Sequence, residues 1–69
     1  MEELKLRDEF IKLGQAMKAA GIVSSGIDAK MLIQDGQVTV NGEVETRRGK
    51  KLYDGDVFEF EGEAFKVVK

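Results

Sequence analysis

Between Gln37 and Glu45 the chain reads QVTVNGEVE, a pattern that suits a sheet and not a helix. Val38 and Val40 alternate with Thr39, the two-residue period of a strand with one buried face. Asn41-Gly42 follows, the pair that most readily takes the positive φ angles of a two-residue hairpin turn. A second hairpin is expected beyond the turn signal Asp54-Gly55. In VFEFEGEAFKVV, Phe58, Phe60, Phe65 and Val67 fall on the inward side, with Glu59, Glu61 and Lys66 outward.

Upstream of Gly36 the period is different. Leu13, Ala16, Met17 and Ala20 recur at helical spacing and Gly21 is placed to stop the turn, which predicts a helix over about residues 11 to 20. Ser25, with Asp28 three positions on, resembles a capping box. Ala29, Leu32 and Ile33 supply a buried stripe and Gly36 a terminus, so a second helix is expected over about 25 to 35. The link GIVSS is too short to part the helices, which should pack as an angled pair. At the N-terminus ELKLR alternates as a short half-buried strand does. The expected fold is α+β: a helix pair packed on a small, mainly antiparallel sheet, with residues 1–69 forming one domain.

A chain of 69 residues has room for one core and a thin stability margin. With no cysteine and no histidine, neither disulfides nor common metal ligands can supplement it, so packing and turn chemistry carry the fold. No run approaches the ~18 apolar residues of a membrane span, and no signal-peptide pattern is visible, which leads to the expectation of a cytoplasmic protein.

Net charge is −2, from 11 Lys+Arg against 13 Asp+Glu, and that balance alone argues against a generic nucleic-acid binder. The distribution argues otherwise. Acids gather near the N-terminus (Glu2, Glu3, Asp8, Glu9) and towards the C-terminus (Asp54, Asp56, Glu59, Glu61, Glu63), whereas TRRGKKLY holds Arg47, Arg48, Lys50 and Lys51 without one carboxylate. Such a run is either a solvated loop or a footprint for a polyanion whose successive phosphates it grips. Gly49 between the two pairs is a turn or a point of close backbone approach.

Other candidates are more ambiguous. Ser25-Gly26 at a helix N-terminus is a plain cap or a phosphate site made of free amides, where the glycine leaves room for approach. Lys30, farther along the same helix, extends that surface or is an ordinary exposed lysine. Lys12 and Lys18 lie on roughly one side of the first helix, flanking the groove between helices or simply solvated. Tyr53, the only tyrosine, reads as edge-of-core packing in preference to a stacking platform, and the four phenylalanines read as core.

Catalysis finds no footing. Ser24 and Ser25 lack an activating partner, Glu59, Glu61 and Glu63 form an open strand face, and phosphate-loop and dinucleotide signatures are missing. The expectation is a non-enzyme without cofactor or metal.

Taken together, Ser25, Ala29, Ile33, Gly36, Val38, Val40, Asn41 and Gly42, followed by Gly55-Asp56, resemble the RNA-binding domain first recognised in ribosomal small-subunit protein S-four. The likeness spans about residues 12 to 60. Within that family, SGIDAK and GEVETRRGKK are most similar to the small stand-alone bacterial S-four-like proteins of the YaaA and YbcJ type. The resemblance implies a helix-turn-helix-like pair, the αL-type motif, docked on a sheet and presenting a positive surface to structured RNA, ribosomal or transfer. It turns the reading of Lys12, Lys18, Ser25, Gly26, Lys30, Arg47, Arg48, Lys50 and Lys51 towards RNA contacts made through backbone and shape. The expected partners are such RNA and ribosomal particles, met by a monomer in ribosome assembly, quality control or RNA maturation. The chain departs from the family where Gly26 replaces a common Arg, and where Lys12 keeps a charge without the planar two-pronged donor. A protein-interaction adaptor using the same charged faces is the alternative.

Overall fold

Asn41 and Gly42 adopt φ angles of 51° and 86°, and the strands they join, β3 (Val38–Val40) and β4 (Glu43–Val44), pair antiparallel with Val40 opposite Glu43. The hairpin expected from the sequence is therefore present in the computed structural model, which describes all residues, 1–69. Asn41 does more than turn the chain. Its Nδ2 donates to Asp56 Oδ1 at 3.1 Å and its Oδ1 accepts the Val57 N–H at 3.0 Å, clamping the turn to the next strand.

That strand, β6 (Val57–Phe60), pairs antiparallel with β3 on one side and with β7 (Glu63–Val68) on the other. The β6–β7 turn is made by Glu61 and Gly62, at φ 50° and 81°. β1 (Glu2–Lys5) runs parallel to β7 along the far edge, giving a five-stranded sheet in the order β1-β7-β6-β3-β4. The register sets Phe58 opposite both Val40 and Phe65, and the two phenylalanine rings stack with centroids 5.1 Å apart. Phe58, Phe65 and Val67 are buried as expected, while Phe60, towards the hairpin end, is only partly covered.

Helix α1 (Leu13–Ala19) and helix α2 (Gly26–Gln34) close over that face. Leu13, Ala16 and Met17 from the first and Ala29 and Ile33 from the second are fully buried. Both helices end in the same way. Gly21, at φ 78°, donates its N–H to the Lys18 carbonyl while Ile22 donates to Met17; Gly36, at φ 77°, donates to Ile33 while Gln37 donates to Leu32. Each pattern is a Schellman motif, satisfying terminal carbonyls at a residue that needs no Cβ.

One element differs from expectation. The first helix does not begin at residue 11: Phe10–Lys12 forms strand β2, paired antiparallel with β5 (Lys51–Tyr53), a strand that starts within the basic run. Ile11 and Leu52 face each other and turn inward, Leu52 being fully buried, so a three-residue ribbon gains more by burying this pair than Phe10–Lys12 would gain as one more helical turn. The opposite face carries Phe10, Lys12, Lys51 and Tyr53.

Replacing Asn41 with Ala removes both side-chain hydrogen bonds and leaves a residue with a Cβ in the left-handed region, so urea unfolding should show a loss of about 1–3 kcal/mol. Asn41→Gly keeps the backbone freedom and loses only the clamp, and is expected to fall between that variant and the parent.

Candidate functional site

Leu13 and Gly14 open α1, so their N–H groups have no partner inside the helix. The basic loop supplies both. Leu13 donates to the Lys50 carbonyl at 2.8 Å and Gly14 to the Arg48 carbonyl at 3.1 Å. With its carbonyls engaged on the helix, the loop leaves the side chains of Arg47, Arg48 and Lys51 exposed and that of Lys50 half-buried.

The approach is close because residue 14 is glycine. It is buried, and a Cβ built on it would lie 2.7 Å from Arg48 Cγ, so the aliphatic stem of Arg48 rests where a side chain would otherwise be. At the next residue, Gln15 Oε1 accepts the Lys12 N–H at 3.4 Å, tying β2 to the start of α1.

The result is a cleft lined by Lys12, Gly14, Gln15, Lys18, Gly26, Arg48 and Gly49. It holds three cations, no carboxylate and no apolar side chain. Lys12, Lys18, Gly26 and Arg48, separated in sequence by up to 36 positions, are thus brought to one place. A neighbouring depression, lined by Arg47, Gly49, Lys50, Lys51 and Tyr53, meets the first at Gly49.

The cations are not equivalent. Arg47 Nε and Nη2 donate to the two oxygens of Glu45 at 3.0 and 3.2 Å, and the Arg47 backbone N–H adds a third bond at 3.0 Å. Those bonds from Arg47 hold the Glu45 carboxyl below its ordinary range, with nearby Lys50 adding to the effect, and raise the Arg47 guanidinium above its own. Arg47 therefore reaches the surface already neutralised. Lys12, Lys18, Lys30, Arg48, Lys50 and Lys51 have no ion-pair partner; the other ion pair in the structure joins Lys69 to Glu9.

Lys12 and Lys51 stand opposite each other across the β2–β5 ribbon, a like-charge pairing that costs stability. Part of that cost is relieved because the Lys51 ammonium lies 4.7 Å above the Phe10 ring. Ser25 and Lys30 lie outside both clefts. Ser25 Oγ accepts the Asp28 N–H at 3.2 Å as an ordinary cap, and Lys30 is exposed one turn beyond Gly26. Gly14 and Gln15 were not among the residues singled out from sequence. A glycine interrupting a helical stripe between Leu13 and Ala16 was the available sign of close approach.

The arrangement is a helix pair on a sheet, with a carboxylate-free basic cleft at the start of both helices. The model of the S4 domain matches residues 4–68. The chain is 46% identical over 66 residues, 94% of its own length and 93% of the relative's, to the "Probable ribosome maturation protein RlbA" of Bacillus subtilis (strain 168). It is 40% identical over 58 residues, 84% of its length and 83% of the relative's, to YbcJ of Escherichia coli (strain K12). The solution structure of E. coli YbcJ, described as revealing an αL motif involved in RNA binding, superposes with a TM-score of 0.75 at 36% identity, covering 100% of this chain and 89% of that one. The chain belongs to the S4 domain family, and its fold is the αL-type helix pair on a mainly antiparallel sheet. It is a binding domain and not an enzyme.

Because the Glu45 carboxyl in the folded chain titrates below its ordinary range, the bonds to Arg47 contribute stability that is complete above that ordinary range and lost as pH falls through the lowered value. The Arg47 Nε–H resonance should keep its hydrogen-bonded shift through the ordinary carboxylate titration range and lose it only on further acidification. Glu45→Gln should abolish that transition at every pH.

Proposed function

We propose that this chain is an RNA-binding module that holds folded RNA, ribosomal or transfer, by its sugar-phosphate backbone during maturation of the ribosome in the cytoplasm. It acts as a monomer. The observation that carries the reading is the cleft of Lys12, Lys18 and Arg48, which gathers three unpaired cations and no carboxylate in a chain of net charge −2. Phosphates placed there displace condensed counterions without having to break an internal ion pair. The name of the B. subtilis relative and the RNA-binding motif described for E. coli YbcJ support RNA as the polyanion and the ribosome as the setting.

The cleft is suited to shape and not to sequence. Its walls carry ammonium and guanidinium donors, one amide side chain and three glycines, with no aromatic or other apolar side chain on which a base could stack. Arg48 is the only residue in it able to grip a phosphate with two parallel donors, and its stem is held against Gly14. Gly26, where the family commonly has Arg, has open space around the position of an absent Cβ.

Titration of structured ribosomal or transfer RNA at several salt concentrations tests the reading. Arg48→Ala, Lys12→Ala and Lys18→Ala should each weaken binding and flatten the slope of log affinity against log salt by about 0.7–0.9. Arg47→Ala should do less, since Glu45 already takes its donors. An absence of binding at low salt, or indifference to Arg48, would sink the proposal.

Gly26→Arg supplies the converse. The new side chain meets no steric obstacle, improves helix propensity by up to ~1 kcal/mol and adds a cation to the cleft. RNA affinity should rise, with the salt slope steepened by about 0.7–0.9 and thermal stability maintained or increased.

A further inference from the structure

The outer face of the β2–β5 ribbon carries an aromatic pair that neither the core nor the phosphate cleft accounts for. Phe10 and Tyr53 stand opposite each other with ring centroids 5.8 Å apart and planes tilted by 48°. Tyr53 is 48% exposed, and its hydroxyl makes no hydrogen bond within the protein. Two residues along the same face lies the Lys12–Lys51 pair, about 6.6 Å away by strand rise. From the geometry we infer that Tyr53, backed by Phe10, stacks on an unpaired base of the bound RNA, so that the preferred ligand is an RNA helix flanked by an unpaired nucleotide. The inference rests on the RNA-binding reading above and names the ligand class for that site.

Three features support it. The Lys51 ammonium covers the Phe10 ring, so Tyr53 is the ring left for a ligand. The Tyr53 depression contains Arg47, Gly49, Lys50 and Lys51 and joins the phosphate cleft at Gly49, which makes the two surfaces continuous.

The charge pattern is the third feature, because it is polarised along the ribbon. Lys12 and Lys51 stand at one end. At the other, Asp56 Oδ2 accepts the Tyr53 N–H at 2.7 Å and Asp54 Oδ1 accepts the Lys69 N–H at 2.9 Å. These carboxylates turn a phosphate away from Tyr53 and leave it to the lysines, while a neutral base is accepted at the ring. A π-face is also what a strand-borne tyrosine can offer to every base alike, so the contact selects unpaired over paired nucleotides and not one base over another.

The test uses two blunt-ended RNA duplexes with the same base pairs, one fully paired and one carrying a single bulged 2-aminopurine, each titrated with the full chain. Stacking should quench the 2-aminopurine fluorescence and make the bulged RNA bind more tightly than the paired one. Tyr53→Phe should keep both effects. Tyr53→Leu should lose the quench and weaken the bulged complex by roughly 5- to 150-fold, leaving the paired RNA unchanged. If Tyr53→Leu fails to fold, the quench produced by the parent chain still decides the matter. Absence of quenching, or equal affinity of the parent for the two RNAs while Arg48→Ala still weakens both, overturns the stacking inference alone. Failure of either RNA to bind at low salt overturns the RNA-binding reading with it.

Discussion

Two backbone hydrogen bonds, from Leu13 and Gly14 to the carbonyls of Lys50 and Arg48, hold the molecule's basic loop against the first turn of α1. A loop with four cations in five positions repels itself and would otherwise favour an extended, solvated course. The helix, for its part, presents N–H donors that are costly to leave unmade when buried. Each side supplies what the other lacks. The Arg48 stem can lie against the helix because residue 14 is glycine: a methyl group there would intrude on it and force it to shift. Removing either half would free Arg48 from Lys12 and Lys18, so local helix capping and the assembly of the cleft are one event.

The portions of this architecture visible in the sequence are those governed by local rules. Asn41-Gly42, Gly21 and Gly36 announce their own backbone angles, and the heptad-like spacing of Leu13, Ala16, Met17 and Ala20 or the alternation of Phe58, Phe65 and Val67 follows directly from helix and strand periods. What could not be read is non-local. Phe10–Lys12 is too short to show a period, and its strand character comes entirely from Lys51–Tyr53, about 40 residues away. The same partnership decides that Lys12 faces Lys51. For the site, the basic run was conspicuous, but composition cannot show that Glu45 folds back on Arg47 while Arg48, next in the chain, stays free. Ser25 was equally visible and proved to be occupied with capping α2.

Overall charge is a poor guide to this surface because the acids are held elsewhere. Glu59, Glu61 and Glu63 belong to the β6–β7 hairpin, Asp56 is bonded to Asn41 and Tyr53, Asp54 to Lys69, and Glu9 to the Lys69 ammonium. Several carboxylates therefore serve turns and chain ends, where their oxygens accept backbone N–H groups. That use costs the cleft nothing at short range: none lines it, and those farther off than about 8 Å are screened at physiological salt. A small acidic chain can thus stay soluble through its hairpins and still offer one strongly positive recess.

The three-residue ribbon ties this recess to the core with little tolerance. Its inner face, Ile11 and Leu52, packs into the same cluster as Leu13 and Phe58; its outer face bears Lys12, Lys51, Phe10 and Tyr53. In a strand pair with a two-residue side-chain period, a shift of one residue would send Leu52 to solvent and a lysine or tyrosine into the core. Burial of Leu52 therefore fixes which way the cations point. Because that constraint acts through the inner face alone, the outer positions are free to vary in charge and aromaticity, and Lys12 and Lys51 can be kept opposite each other at a cost in stability that a polyanion would relieve on binding.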